Sequence, residues 1–149
     1  MKKLFLYYSY TGNGKVVAER LAAAGCDLRE IVREKPMPNS FFWGIVVGGF
    51  LATIKHKDKI AEIDLDVSDY DEVVIGSPIW NARFASPVNT ALSRLDLSGK
   101  KATFVLYSGS GEGKNADERI AKEYPNASVI HLKEPKKYPE ELEKLCVLE

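Results

Sequence analysis

An open parallel β-sheet with helices on both faces is the architecture this sequence predicts, and three observations predict it. Strand-like apolar runs and helical stripes alternate five times along the chain, the pattern of successive right-handed β-α-β units. The run Glu72, Val73, Val74, Ile75, Gly76 is apolar almost without interruption, as a strand covered on both faces must be. Three runs end in small polar residues, at 9–14, 77–83 and 108–113, and in such a sheet loops that follow strands gather on one rim.

The 149 residues, 45% of them hydrophobic, are expected to form one domain spanning 1–149, long enough for a two-sided core. Lys plus Arg total 21 and Asp plus Glu total 21, so no net field recruits nucleic acid. Cys26 and Cys146 stand far apart, and His56 and His131 lack ligand-spaced neighbours. No metal site is therefore expected, and both thiols read as buried or half-buried packing residues. The apolar run before Ser9 is only five residues long and no small-residue cleavage site follows it. A cytoplasmic chain without a transmembrane segment is the expectation.

Taken in order, Leu4, Phe5, Leu6, Tyr7 and Tyr8 read as the first strand, followed by a helix over 14–24 with Asn13 as its cap and Gly25 as its stop. A short second strand is placed at 26–32. The apolar residues Phe41, Phe42, Trp43, Ile45, Val46, Val47, Phe50, Leu51 and Ile54 follow, interrupted by Gly44, Gly48 and Gly49. Residues 41–54 fall short of the roughly 20 needed to span a bilayer. They read either as a glycine-interrupted helix packed on the sheet or as a docking surface, with Lys55, Lys57 and Lys59 just beyond. The strand at 72–76 is expected to end at Ser77 and Pro78. Ser86 as the cap and Pro87 in the first turn then start a helix whose inward face is Val88, Ala91, Leu92 and Leu95. A strand at 102–107, a helix at 115–124 stopped by Pro125, a strand at 127–132 and a helix at 140–147 with Leu142, Leu145 and Cys146 inward complete the chain.

The first loop carries the most chemistry. Where a strand turns into a helix, the open N–H groups of the helix start hold an anion, and the hydroxyls of Ser9 and Thr11 can add to them. The second loop sets Trp80 directly after Pro78 and Ile79, and the third supplies glycines that let main chain approach a flat ligand. Trp80 reads as a ring contact or a core aromatic, and Arg83 as a solvated residue or a charge near the ligand. Gly113, Lys114, Asn115 lacks the spacing and the hydroxyl residue of a nucleotide P-loop.

Over essentially its whole length the sequence resembles the flavodoxin-like family. The marks are Ser9, Tyr10, Thr11, Gly12, Asn13 after the first strand, Val74, Ile75, Gly76, Ser77, Pro78, Ile79, Trp80 at the third, and Leu106, Tyr107, Ser108, Gly109, Ser110, Gly111 at the fourth. The resemblance implies a three-layer α-β-α sandwich whose five-stranded parallel sheet runs 2-1-3-4-5, and bound flavin mononucleotide (FMN). It implies that Ser9, Thr11, Gly12, Asn13 and Gly14 hold the phosphate, with the main-chain N–H of Tyr10. Pro78, Ile79, Trp80, Asn81 and Ala82 would flank one side of the isoalloxazine, and Ser108, Gly109, Ser110 and Gly111 the other. The family commonly has Thr where this chain has Gly14, so the cradle should rely on Ser9, Thr11 and main-chain donors. The third loop lacks the aromatic that many members stack on the ring, which leaves shielding to Trp80 or to the 41–50 segment.

The activity implied is electron transfer between redox partner proteins that dock near the flavin or at residues 41–54, with no catalytic side chain required. A small FMN-dependent NAD(P)H or quinone oxidoreductase is the alternative, followed by a ligand-sensing or structural adaptor. A response-regulator receiver shares the strand order but needs clustered acids where Tyr7, Tyr8 and Ser9 stand.

Overall fold

In the computed structural model, residues 1–35, 46–47 and 59–149 are described. The elements are β1 (Lys3–Tyr7), α1 (Asn13–Ala23), β2 (Asp27–Glu30), β3 (Glu72–Trp80), β4 (Arg83–Phe84), α2 (Ser86–Arg94), β5 (Lys101–Ser108), α3 (Lys114–Glu123), β6 (Ser128–Lys133) and a closing 3₁₀ helix (Pro139–Leu148). Five strands run parallel in the order β2-β1-β3-β5-β6, and β4 pairs antiparallel with the end of β3. Apart from that added hairpin strand, this is the 2-1-3-4-5 sheet that the resemblance implies.

The three layers follow from strict alternation within strands whose two faces are both buried. Leu4, Leu6, Val73, Ile75, Phe104 and Leu106 point to the side packed by Val88, Ala91, Ala116 and Ile120 of α2 and α3. Phe5, Tyr7, Val74, Val105 and Tyr107 point to the other, where Val17 and Leu21 of α1 and Leu145 and Leu148 of the last helix cover them. Each large apolar side chain buried this completely contributes about 1.5–3 kcal/mol before entropy is counted. Phe5 and Tyr7 stack with ring centroids 4.9 Å apart. That stack sits where a side chain on β3 would go, for a Cβ at Gly76 would stand 2.5 Å from the Phe5 ring. The edge strand β2 is short, largely exposed and charged at three of its four residues, which blunts sheet-to-sheet association.

Four expectations are corrected. Ser77 and Pro78 do not end β3, because β5 is long enough to keep pairing with it, Ser77 with Leu106 and Pro78 with Tyr107, and β4 then pairs with Ile79 and Trp80. Asn13 is not the cap of α1; Gly12 is, at φ +100°. Ser86 lies inside α2, with extended Ala85 as the cap and Pro87 in the first turn, where a missing N–H costs nothing. The C-terminal helix is 3₁₀, and its buried residues are Leu145 and Leu148, while Cys146 is exposed. Gly25 does stop α1, at φ +93° with its N–H on the carbonyl of Ala22. The expectations for residues 41–54 lie outside the described residues except at Val46 and Val47. Among the described residues no helix is long and apolar enough to cross a membrane, and no group of three metal-ligating side chains forms.

Candidate functional site

Because β1, β3 and β5 are parallel neighbours, their carboxyl ends share one rim, and the chain reverses its direction of travel across the sheet between β1 and β3. Ligands of open α/β sheets seat outside such a switch point. The 9–14 turn, the β3–β4 hairpin and the 108–113 loop all stand on that rim.

The 9–14 turn has the features of an anion site. Gly12 takes the left-handed conformation that only glycine adopts readily, and α1 starts from it without a side-chain cap and without an acidic residue in its first turn. Among the described residues, therefore, no side chain caps and no acid balances the positive end of the helix. Ser9 Oγ is buried and has no hydrogen-bond partner among the described residues, a costly arrangement that a ligand oxygen would relieve. Thr11 is exposed, and its hydroxyl accepts a long bond of 3.4 Å from Asn13 Nδ2.

Gly14 is a steric necessity. A Cβ there would lie 2.6 Å from the Tyr107 hydroxyl, 2.8 Å from Ser9 Cβ and 2.9 Å from the Tyr8 carbonyl oxygen. The Thr common at this position in the resembled family has no room here. Tyr107, 2% exposed, fills the space and its hydroxyl donates to the Tyr8 carbonyl. Burial, followed by the nearby Tyr7, Tyr8 and Glu30, holds its phenol well above the ordinary tyrosine range.

Across the rim, the hairpin turns through Asn81 at φ +51° and Ala82 at φ +61°. Two successive left-handed residues are what a two-residue hairpin demands, and Asn-Gly is the usual choice. Here Ala82 bears the strain, held by its carbonyl, which accepts the N–H of Ala116 in the first turn of α3 at 2.9 Å. The base of the hairpin is fixed by Ser77 Oγ, which accepts from Ala85 N at 3.2 Å and donates to the Pro78 carbonyl at 2.8 Å.

The third loop is shaped by Ser108, whose Oγ accepts the N–H groups of Gly111 and Glu112 at 2.9 and 3.1 Å. Between this loop and the hairpin lies a cleft of about 270 Å³, lined by Ile79, Ala82, Ser108, Gly109, Ser110, Glu112, Gly113 and Lys114. A space of that size takes part of a flat ring system rather than a whole nucleotide. Five residues expected at a ring thus share one cleft, while Pro78, Asn81 and Gly111 do not line it. Trp80 stands apart from it. Its indole meets Tyr8 and Tyr10 edge-to-face, with centroids 5.8 and 6.1 Å away, a favourable aromatic geometry. Ser9 and Tyr10 also line a hollow of about 270 Å³ with Tyr8, Glu30, Ile31, Val32 and Arg33.

Two larger hollows lie off this rim. One of about 510 Å³ surrounds 95–102 and 123–127 at the amino end of β5, and one of about 420 Å³ lies against Arg83, Phe84 and α3. In the latter, Arg119 is already committed to Asn89 at 2.6 Å and Glu123 at 2.5 Å, so size alone does not mark the site. Sequence reasoning missed Tyr107 under the 9–14 turn, Lys114 in the cleft, and Lys136, whose N–H donates to Asn13 Oδ1 at 3.0 Å. The last contact joins residues 123 apart, and no periodicity or motif announces it.

A protein-family model described as flavodoxin matches residues 2–142. The chain belongs to the flavodoxin family. Flavodoxins are themselves a known instance of ligand binding at the β1/β3 switch point. Among solved structures, this flavodoxin is similar to a protein from Bacteroides eggerthii reported as a candidate flavoprotein, with 24% identity, 93% of this chain and 94% of that chain covered, and a TM-score of 0.69. It is also similar to a flavoprotein from Lactobacillus acidophilus in complex with FMN, with 21% identity, 93% and 97% covered, and a TM-score of 0.68. At these identities the likeness concerns the fold. No curated protein matches the sequence.

Proposed function

We propose that this flavodoxin binds FMN on the rim and carries electrons between redox partner proteins. The observation that carries the reading is the buried Ser9 Oγ, partnerless among the described residues, beside the uncapped start of α1, in a family member similar to a Lactobacillus acidophilus flavoprotein whose structure is an FMN complex. One feature fits the phosphate: the orphaned Ser9 hydroxyl beside the start of α1, which no side chain caps among the described residues. Ser9, Thr11, Gly12, Asn13, Gly14 and the N–H of Tyr10 would hold that phosphate. Pro78, Ile79, Trp80, Asn81 and Ala82 would hold one side of the ring, and Ser108, Gly109, Ser110 and Gly111 the other.

FMN, when bound, supplies one- and two-electron chemistry, while the protein sets orientation, solvent access and the local field. The hairpin presents a rigid wall, tied at its tip to α3 and at its base to Ser77. The third loop presents main chain, because Gly109 has no atom within 4 Å of where a Cβ would stand. Trp80, Tyr8 and Tyr10 form an aromatic cluster that limits water between the phosphate turn and the hairpin. Redox partners would dock at this rim, and a cytoplasmic location belongs to the same reading, in accord with the free thiols of Cys26 and Cys146.

The absorption spectrum of the purified protein, with release and identification of its chromophore, tests the reading. A flavin spectrum, FMN as the released compound and NAD(P)H oxidation only after a separate reductase is added are expected. Steady NAD(P)H oxidation by the protein alone would move it to the oxidoreductase alternative, and failure of the apoprotein to take up FMN would overturn the reading.

A further inference from the structure

The segment after β6 crosses the rim and ties the third loop to the first. Glu134, at φ +37°, donates its N–H to the carbonyl of Ser108 at 3.0 Å. Two residues on, Lys136 donates its backbone N–H to Asn13 Oδ1 at 3.0 Å, and its Nζ reaches the Thr11 carbonyl at 3.5 Å. A Cβ at Gly12 would stand 3.2 Å from that same Nζ, so the ammonium is packed on the phosphate turn itself. The left-handed Glu134 is a strained conformation for a side-chain-bearing residue, sustained by the contacts on either side of it.

The electrostatic setting of Lys136 differs from that of its neighbours. Lys144 pairs with Glu141 at 2.9 Å, Lys15 stands 4.0 Å from Glu30, and Lys133 and Lys137 lie 5.5 and 5.3 Å from the Tyr138 ring centroid. Lys136 is exposed, and among the described residues no carboxylate pairs with it. Its bond to Thr11 is long and weak, so turning towards an anion costs little. A charge-assisted bond to a phosphate oxygen would replace it with a shorter and stronger one. The rest of the turn offers only partial charges, those of Ser9, Thr11 and the N–H groups of α1.

We propose that Lys136 is the counter-ion of the ligand's phosphate, and that through it the protein tells a flavin phosphate from an unphosphorylated flavin. The inference rests on the FMN-binding reading above. It places a full positive charge, delivered from the far end of the chain, at a turn whose own atoms carry none.

Dissociation constants of FMN and riboflavin for the apoprotein, measured by flavin fluorescence at low and high salt, test it. In Lys136→Met the stem still covers Gly12 while the charge is gone. We expect FMN to bind about five- to tenfold more weakly to this variant at low salt, with riboflavin unchanged. The salt dependence of FMN binding should flatten, since a screened charge has been removed. Lys136→Arg should stay near wild type, and Lys137→Met, beside it in sequence but off the turn, should behave as wild type. Unchanged FMN affinity and salt dependence in Lys136→Met would overturn the inference while leaving the FMN reading intact. An equal loss for both flavins would also overturn it, as the mark of a disturbed loop. A wild-type protein that binds neither flavin would bring down the reading and the inference together.

Discussion

The two ends of the rim are built on opposite plans. At the proposed phosphate end the main chain is pressed against a buried tyrosine, and every position near Gly14 is filled: 2.6 Å to the Tyr107 hydroxyl, 2.8 Å to Ser9 Cβ, 2.9 Å to the Tyr8 carbonyl. At the ring end the third loop has empty space around Gly109 and the opposing hairpin carries backbone strain at Asn81 and Ala82. A phosphate has one shape and a fixed charge, so a rigid cradle of donors recognises it without adjustment. A ring held by its faces needs access and a surface that main chain can approach, and open glycines provide both.

The contrast is broken most severely at the two glycines. Gly14→Ala should destabilise the protein by about 1–3 kcal/mol through overpacking and should abolish tight FMN binding, whereas Gly109→Ala should change stability by less than about 0.5 kcal/mol. Denaturant unfolding and FMN titration of both variants check this, and equal effects would remove the distinction between the two ends.

Tyr107 gives the phosphate end a pH signature. An unfolded tyrosine ionises at about pH 10, whereas folded Tyr107 holds its proton to well above that. The folded state thus binds this proton more tightly, so the contribution is fully present below pH 10 and is lost as pH rises from there towards the folded value. Tyr7, Tyr70 and Tyr124 are raised as well, so wild type should lose stability steeply in that range. Tyr107→Phe should be about 1 kcal/mol less stable at pH 8, for the lost bond to Tyr8. Its slope above pH 10 should be shallower by up to about 1.4 kcal/mol per pH unit. Parallel stability curves for the two proteins would contradict the burial argument.

The smallest effect belongs to the hairpin. Ala82→Gly relieves a left-handed alanine and should stabilise the protein by up to about 1 kcal/mol, read as a higher denaturant midpoint with an unchanged slope. A loss of stability would mean that the turn is not strained at Ala82.

The same contrast explains what could be read from the chain alone. The two-sided strands announced themselves, since Leu4 and Leu6 against Phe5 and Tyr7, or Phe104 and Leu106 against Val105 and Tyr107, are apolar on both faces. The proposed phosphate turn stands out in the sequence because its hydroxyls and glycines are contiguous from Ser9 to Gly14. The hairpin was not, because Ser77 and Pro78 look like a stop and Asn81-Ala82 lacks the glycine that flags such a turn. In the sequence Tyr107 is only the end of the fourth strand's apolar run, and only the register that sets β5 beside β3 brings the end of its side chain under Gly14. Lys136 was hidden in an ordinary charged stretch, because its contact with Asn13 exists only once β6 has returned to the sheet.

The central claim is that the turn at Ser9 and Gly14 is the phosphate seat. A crystal structure of the FMN complex tests it most directly. The account predicts a phosphate oxygen within hydrogen-bond distance of Ser9 Oγ and of the N–H groups that open α1. A phosphate seated anywhere else, with Ser9 Oγ still buried and unpartnered, would contradict it.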